Sequence, residues 1–239
     1  WELYTRGEDR CDDHFIASIF DHPDVVKYGD GRQAASYNRK VALRVLHLLR
    51  RTRGCHRLQR DNCQFTMEEA AGFTREFIEF ELSRIDQWLW FYADSMRFDI
   101  KSADAFEFWT IFIDTLSDEL RPDELALVEA PLSDGIDAYL RNYEAGHWSI
   151  MNGNNWTTHL SLSALYWAIS HWYEDERSER VANIAWRTLG LHRGYNLEDG
   201  YYKEGVLYTE VAFKDIVGII QLTGRSMGVC PDSLNWANI

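Results

Sequence analysis

Two short stretches of this chain concentrate groups able to do chemistry on a polar substrate. The first is His147-Trp148-Ser149-Ile150-Met151-Asn152-Gly153-Asn154-Asn155-Trp156-Thr157-Thr158-His159. The second is Asp199-Gly200-Tyr201-Tyr202-Lys203-Glu204-Gly205-Val206-Leu207-Tyr208. An Asn side-chain amide donates hydrogen bonds and stays uncharged at any working pH, so it can stabilise negative charge that grows in a transition state. A Tyr phenol can take and return a proton when nearby cations or hydrogen bonds lower its pKa. Aromatic faces suit stacking on sugar rings, although the same rings also supply helix-packing mass. Asn and Gly equally make turns and cap helices. The two stretches together, each polar, aromatic and Gly-containing, point to loops set on a rigid helical frame, where catalytic groups usually sit.

The pair resembles the heparinase II/III-like and alginate-lyase polysaccharide lyases. In that group an Asn-Asn-(Trp or His) segment starts one toroid helix, and an Asp-Gly-x-x-x-Glu-Gly-x-x-Tyr segment lies further along. The matching residues are Asn154-Asn155-Trp156 and Asp199-Gly200, Glu204-Gly205 and Tyr208, within roughly residues 147–215. The resemblance implies an all-α fold, an (α/α) toroid that is an incomplete or compact barrel of antiparallel helix hairpins. It also implies β-elimination on a uronic-acid-containing polysaccharide such as alginate. There the C5 proton is removed and the C4 oxygen expelled. That proton is barely acidic while the neighbouring carboxylate keeps its charge, and hydrogen-bond donors on the carboxylate relieve the difficulty.

The resemblance gives the neutralising role to Asn155, with Asn154 or Asn152 able to serve instead. It gives the base and acid role to Tyr208, with Tyr202 and Tyr201 as second choices. Many relatives carry a His directly after the Asn, where this chain has Trp156. His159 lies one helical turn on from Asn155 and could face the same cleft; its competing reading is a capping or core histidine. Trp148 and Trp156 would stack on sugar, and Glu204 would brace its loop through Lys203 or an Arg. No cofactor or metal is implied. Two departures stand out: no His follows His192, and relatives are usually longer, with a β-sandwich after the toroid.

A glycoside hydrolase on a similar toroid is the nearest rival, and needs two carboxylates with one kept protonated. Asp199 and Glu204 are available for it, with Glu174 or Asp175 as lesser choices, and no pairing stands out. A non-catalytic carbohydrate-binding or structural helical protein is the other. Metal catalysis lacks support, since the eight histidines are scattered and no H-E-x-x-H or Cys-rich ligand set occurs. Asn155-Trp156-Thr157 is also the only N-glycosylation sequon, and a glycan there would block the amide.

At 239 residues the chain reads as one domain over 1–239, a compact toroid or a piece of something bigger. A net charge of −13 excludes a general nucleic-acid binder and repels a polyanion at long range. Arg39 to Arg60 nevertheless holds seven Arg and one Lys with no acid. That is a local face for an acidic chain, or a solvated helix end with a basic loop. No run is long and apolar enough to span a membrane. Cys11, Cys55, Cys63 and Cys230 allow three pairings; Cys55/Cys63 with Cys11/Cys230 would suit a secreted, extracellular or periplasmic protein, and four free thiols are the alternative. No signal peptide is present, and a start at Trp1 fits a processed or trimmed product.

Helical periodicity must supply the frame. Helices are expected over Gln33–Arg53, stopped by Gly54, and over Thr66 to about Arg97, opened by a Thr66/Glu69 capping box. Others are expected over Ala103–Leu116, Arg121–Val128 and Ser133–Tyr143, the last ended by Gly146. Thr157–Tyr173 and Ser178–His192 make the central hairpin across Glu174-Asp175-Glu176-Arg177, and Thr209–Met227 forms a last helix. No stretch alternates with period two over a strand's length.

Overall fold

A computed structural model of the protein describes residues 54–58, 65–87, 98, 100–195 and 215–219, together with Leu46, Leu49 and Ala212. All regular structure among these residues is helical. The helices are α1 Met67–Leu82, α2 Ile100–Leu116, α3 Pro122–Glu144, α4 Trp148–Met151, α5 Asn155–Ser170 and α6 Arg177–Tyr195, with a 3-10 turn at Ile85–Gln87. Residues 54–57 and 215–219 are also helical.

The capping box forms as its spacing predicts. The Thr66 hydroxyl accepts from the Glu69 N–H at 3.2 Å, and the Glu69 carboxylate accepts from the Thr66 N–H at 2.8 Å. The helix it opens ends at Leu82 instead of running on to about Arg97. Ser83 donates its hydroxyl to the Phe80 carbonyl at 2.7 Å, a local bond that competes with continuing the helix. Gly54, expected to stop a helix, is itself helical, and its carbonyl accepts from the Leu58 N–H at 3.0 Å. Cys55 is disulfide-bonded, and its partner lies outside the described residues.

Sequence punctuation also misplaces a break near Pro131. One continuous helix, α3, replaces the two expected on either side of it. A proline inside a helix removes one N–H donor and costs about 3 kcal/mol. Val128, Leu132, Ile136 and Tyr139, all fully buried, form one stripe through the proline, and their burial outweighs that cost.

The core is built around α5. Twelve of its 16 residues are buried, so it has no solvent face of its own. Its main neighbours are α2 and α6. From α2 come Phe106, Phe108, Trp109 and Phe112, all fully buried, with Trp109 and Phe112 meeting edge-to-face at 4.9 Å. Between α3, α5 and α6 runs a buried file of hydroxyls: Tyr139 to Ser161 at 3.0 Å, and Ser161 to Thr188 at 2.8 Å. Thr188 donates in turn to the Ile184 carbonyl at 3.1 Å. Burial holds the Tyr139 phenol well above its ordinary pKa, against the lowering pull of the Ser161 bond. A second tie joins α1 to α3. Arg75 donates to both oxygens of buried Glu124, which also accepts the Arg121 N–H at 2.9 Å. Burial pushes the Glu124 pKa up, but those donors hold it below the ordinary value.

Two glycines in helix interiors should respond oppositely to alanine. Around Gly72 a Cβ would meet nothing within 4 Å, so Gly72→Ala should stabilise the protein by about 1 kcal/mol through helix propensity. A Cβ on Gly135 would stand 2.1 Å from the tip of fully buried Phe106. That ring is packed edge-to-face on Phe98 at 4.7 Å, so Gly135→Ala should cost about 1–3 kcal/mol. Urea denaturation of both variants checks the pair, and equal signs would contradict it.

No described helix is long and apolar enough to cross a membrane.

Candidate functional site

The corner between α3 and α5 carries the first chemically active stretch. Two glycines with left-handed backbone set it: Gly146 at φ 62° ends α3, and Gly153 at φ 69° precedes α5. Between them, where the sequence reads as loop, lies the short helix α4. His147 caps α4, its Nδ1 lying 2.8 Å from the Ser149 hydroxyl and accepting the Ser149 N–H at 3.4 Å.

The three candidate amides have different surroundings. Asn152 is exposed and ends α4. Asn154 is the N-cap of α5: its side-chain oxygen accepts from the Thr157 N–H and the Thr157 hydroxyl, both at 3.0 Å. Asn155 follows as the first residue of α5 and is 4% exposed. A glycan on the Asn155-Trp156-Thr157 sequon would therefore have to displace packed neighbours. The macrodipole of α5 favours negative charge at this end.

An aromatic cluster lies on the outer side of the same corner. The Trp148 and Trp156 rings are 5.2 Å apart and tilted, and His147 lies 5.7 Å from Trp148. Trp148 is 44% exposed and Trp156 half-buried, so indole surface is open to a ligand.

One turn beyond Asn155, His159 is held between two acids. Its Nε2 lies 3.2 Å from Asp104 Oδ1 on α2, and its Nδ1 lies 3.4 Å from Asp215 Oδ2 in the helical residues 215–219. The second contact is an ion pair without good hydrogen-bond alignment, since Asp215 Oδ2 makes no geometric hydrogen bond. All three side chains are buried. Burial opposes a charge on the imidazole, but the two carboxylates outweigh it and push the His159 pKa up to about 10. At neutral pH the ring is an imidazolium, so it serves as a cation and not as a base. That geometry matches the core-histidine reading.

Sequence reasoning missed both acids. Asp104 stands inside an apolar run, Ala103-Asp104-Ala105-Phe106, and Asp215 opens another, Asp215-Ile216-Val217, directly after Lys214; a buried carboxylate needs a partner. That mismatch was the available signal. Among the described residues, no group of three His, Cys, Asp or Glu is placed to hold a metal ion.

The far end of α5 repeats the theme. His171 shares its Nε2 with both Glu129 oxygens at 3.1 and 3.2 Å, and its Nδ1 donates to the Trp167 carbonyl at 2.9 Å. The ring stacks on Trp167 at 4.7 Å, and Arg177 lies over the same indole at 5.3 Å. Burial works to lower the His171 pKa, but Glu129 raises it further. Arg177 also pairs with Asp175 at 2.6 Å and Asp137 at 2.7 Å, so the charged hairpin linker is tied down to α3.

Asp199, Tyr201, Tyr202, Glu204 and Tyr208 lie outside the described residues, as does all of the basic stretch except residues 46, 49 and 54–58. The structure thus places Asn154 at the cap of α5 and Asn155, Trp156 and His159 within its first two turns, with Trp148 against Trp156. No protein-family model matches the chain, and neither a curated protein nor a solved structure does.

Proposed function

We propose that this chain is a polysaccharide lyase on an (α/α) toroid, cleaving a uronic-acid-containing polysaccharide such as alginate by β-elimination outside the cell or in the periplasm. The observation that carries the reading is the start of α5, where Asn155 follows an Asn154 cap beside an open pair of indoles. The Asn155 amide would donate to the sugar carboxylate at the positive end of the helix dipole. Tyr208 would take the C5 proton and return a proton to O4 as the C4–O4 bond breaks, leaving a C4–C5 double bond. Trp148 and Trp156 would hold neighbouring sugar rings, with Asn152, Asn154, Tyr201, Tyr202 and Glu204 lining the rest of the site. Within this reading His159 supports Asn155 through its charge.

A non-catalytic carbohydrate-binding role is the second reading, favoured by one contrast: the indole pair is open while the Asn155 amide is buried.

A screen of alginate, glucuronan and a glycosaminoglycan, followed at the ultraviolet absorbance of the 4,5-unsaturated product, tests the proposal. Growth of that absorbance is expected on at least one polymer. Cleavage without it would indicate a hydrolase, and binding without cleavage would indicate a binding protein.

A further inference from the structure

We infer that His159 is a positioning residue, an imidazole tethered at both ring nitrogens that fixes the first turn of α5, and with it Asn155, against α2 and residues 215–219. The inference rests on the role proposed for Asn155.

A neutral imidazole has one N–H, so it can donate at one nitrogen only. Here a carboxylate oxygen faces each nitrogen, Asp104 at 3.2 Å and Asp215 at 3.4 Å. With one proton missing, one ring nitrogen would hold a lone pair within 3.4 Å of a carboxylate oxygen with no proton between them. Both tethers therefore need a doubly protonated ring.

The surrounding packing has the matching register. A Cβ on Gly218 would come within 3.1 Å of Leu162, so residues 215–219 already lie close against α5 at that level. Asp215 and His159 each stand three residues earlier, which stacks their contact one turn away from the Gly218–Leu162 contact. On the opposite ring nitrogen, α2 supplies Asp104. The tethers join three segments distant in the chain one turn beyond Asn155.

Little else ionisable faces the ring among the described residues. From Asn155 to Ser163, α5 has no other titratable side chain. α6 meets this part of α5 with Thr188, and α3 with Tyr139, whose phenol stays protonated. On the α4 side, His147 is engaged with Ser149. The charge of His159 thus answers to Asp104 and Asp215.

The full chain with nitrogen-15 in its histidines and asparagines tests this by NMR, with Asp104→Asn beside the wild type. The variant keeps an acceptor oxygen and the side-chain shape but removes one charge. In the wild type at pH 7.5 both His159 ring nitrogens should carry protons, and an unprotonated nitrogen would overturn the inference. In Asp104→Asn the ring should lose its proton at a pH lower by about one unit or more. The Asn155 side-chain amide signals should shift with the same midpoint in each protein, and amide signals indifferent to that titration would show that His159 does not position Asn155. On an active polymer, the alkaline limb of kcat should move down with the same midpoint, and a limb left in place would likewise count against the inference. The NMR readouts need no substrate, so a protein that cleaves no uronate polymer fails as a lyase without deciding the tether.

Discussion

Replacing Asn155 with alanine is expected to lower kcat on a uronate polymer at least about a hundredfold, the usual scale for losing one donor to developing charge. The loss should fall on kcat more than on KM, because the donor matters most when charge builds beside the sugar carboxylate. Asn155 is buried, so alanine also leaves a small void, and a poorly folded variant could imitate a catalytic defect. Asn155→Asp separates the two. Aspartate has nearly the same shape, and the first turn of a helix favours a negative side chain. The helix end offsets part of the cost of burying a carboxylate there, while the new group repels the sugar acid and removes the donor. Turnover of Asn155→Asp should drop at least as far as that of the alanine variant, measured well below the melting transition of each variant. Near-normal turnover in either variant would reject the assignment. Tyr208→Phe should fall by a similar factor through loss of the proton carrier.

The largest stability effect is expected at His159. Exchanging it for leucine removes the cation that faces buried Asp104 and Asp215, and losing one partner of a buried ion pair costs about 3–5 kcal/mol. The pH dependence follows from the direction of the shift. The folded-state pKa of His159 is about 10, above its ordinary 6.5. Its contribution is therefore fully present below about pH 6.5 and lost as pH rises through about 10. Urea midpoints of the wild type should decline across that window, beyond any decline in His159→Leu. A constant gap from pH 5 to 10 would mean that the histidine fills space and carries no charge there.

What the sequence revealed depended on how local the cause was. The Thr66/Glu69 box spans four residues and closes on itself, so its pattern and its structure agree. Gly146 ends α3 as expected because left-handed backbone is a property of one residue. Pro131 misled for the opposite reason. Its local penalty is visible in sequence, while the packing that overrides it comes from other helices. The consecutive Asn154 and Asn155 are equally good caps by type, and only the backbone turn at Gly153 decides which one caps α5. Asp104 and His159 stand 55 residues apart, so nothing in local periodicity could join them. The overall arrangement is in the same position: single helices are legible, but how successive helices pack together is not written in any one of them.

The hydroxyl file through Tyr139, Ser161 and Thr188 has a direction. Each hydroxyl has one proton to give. Thr188 spends its proton on the Ile184 carbonyl, so it must receive from Ser161, and Ser161 must then receive from Tyr139. The three dipoles align head to tail from α3 through α5 to α6, each reinforcing the next. Cutting the file at Tyr139 would forfeit a single link, whereas cutting it at Ser161 would strand a phenol proton on one side and a Thr188 lone pair without a donor on the other. The innermost seam of this core is thus polarised one way, and its middle member is the one with no substitute.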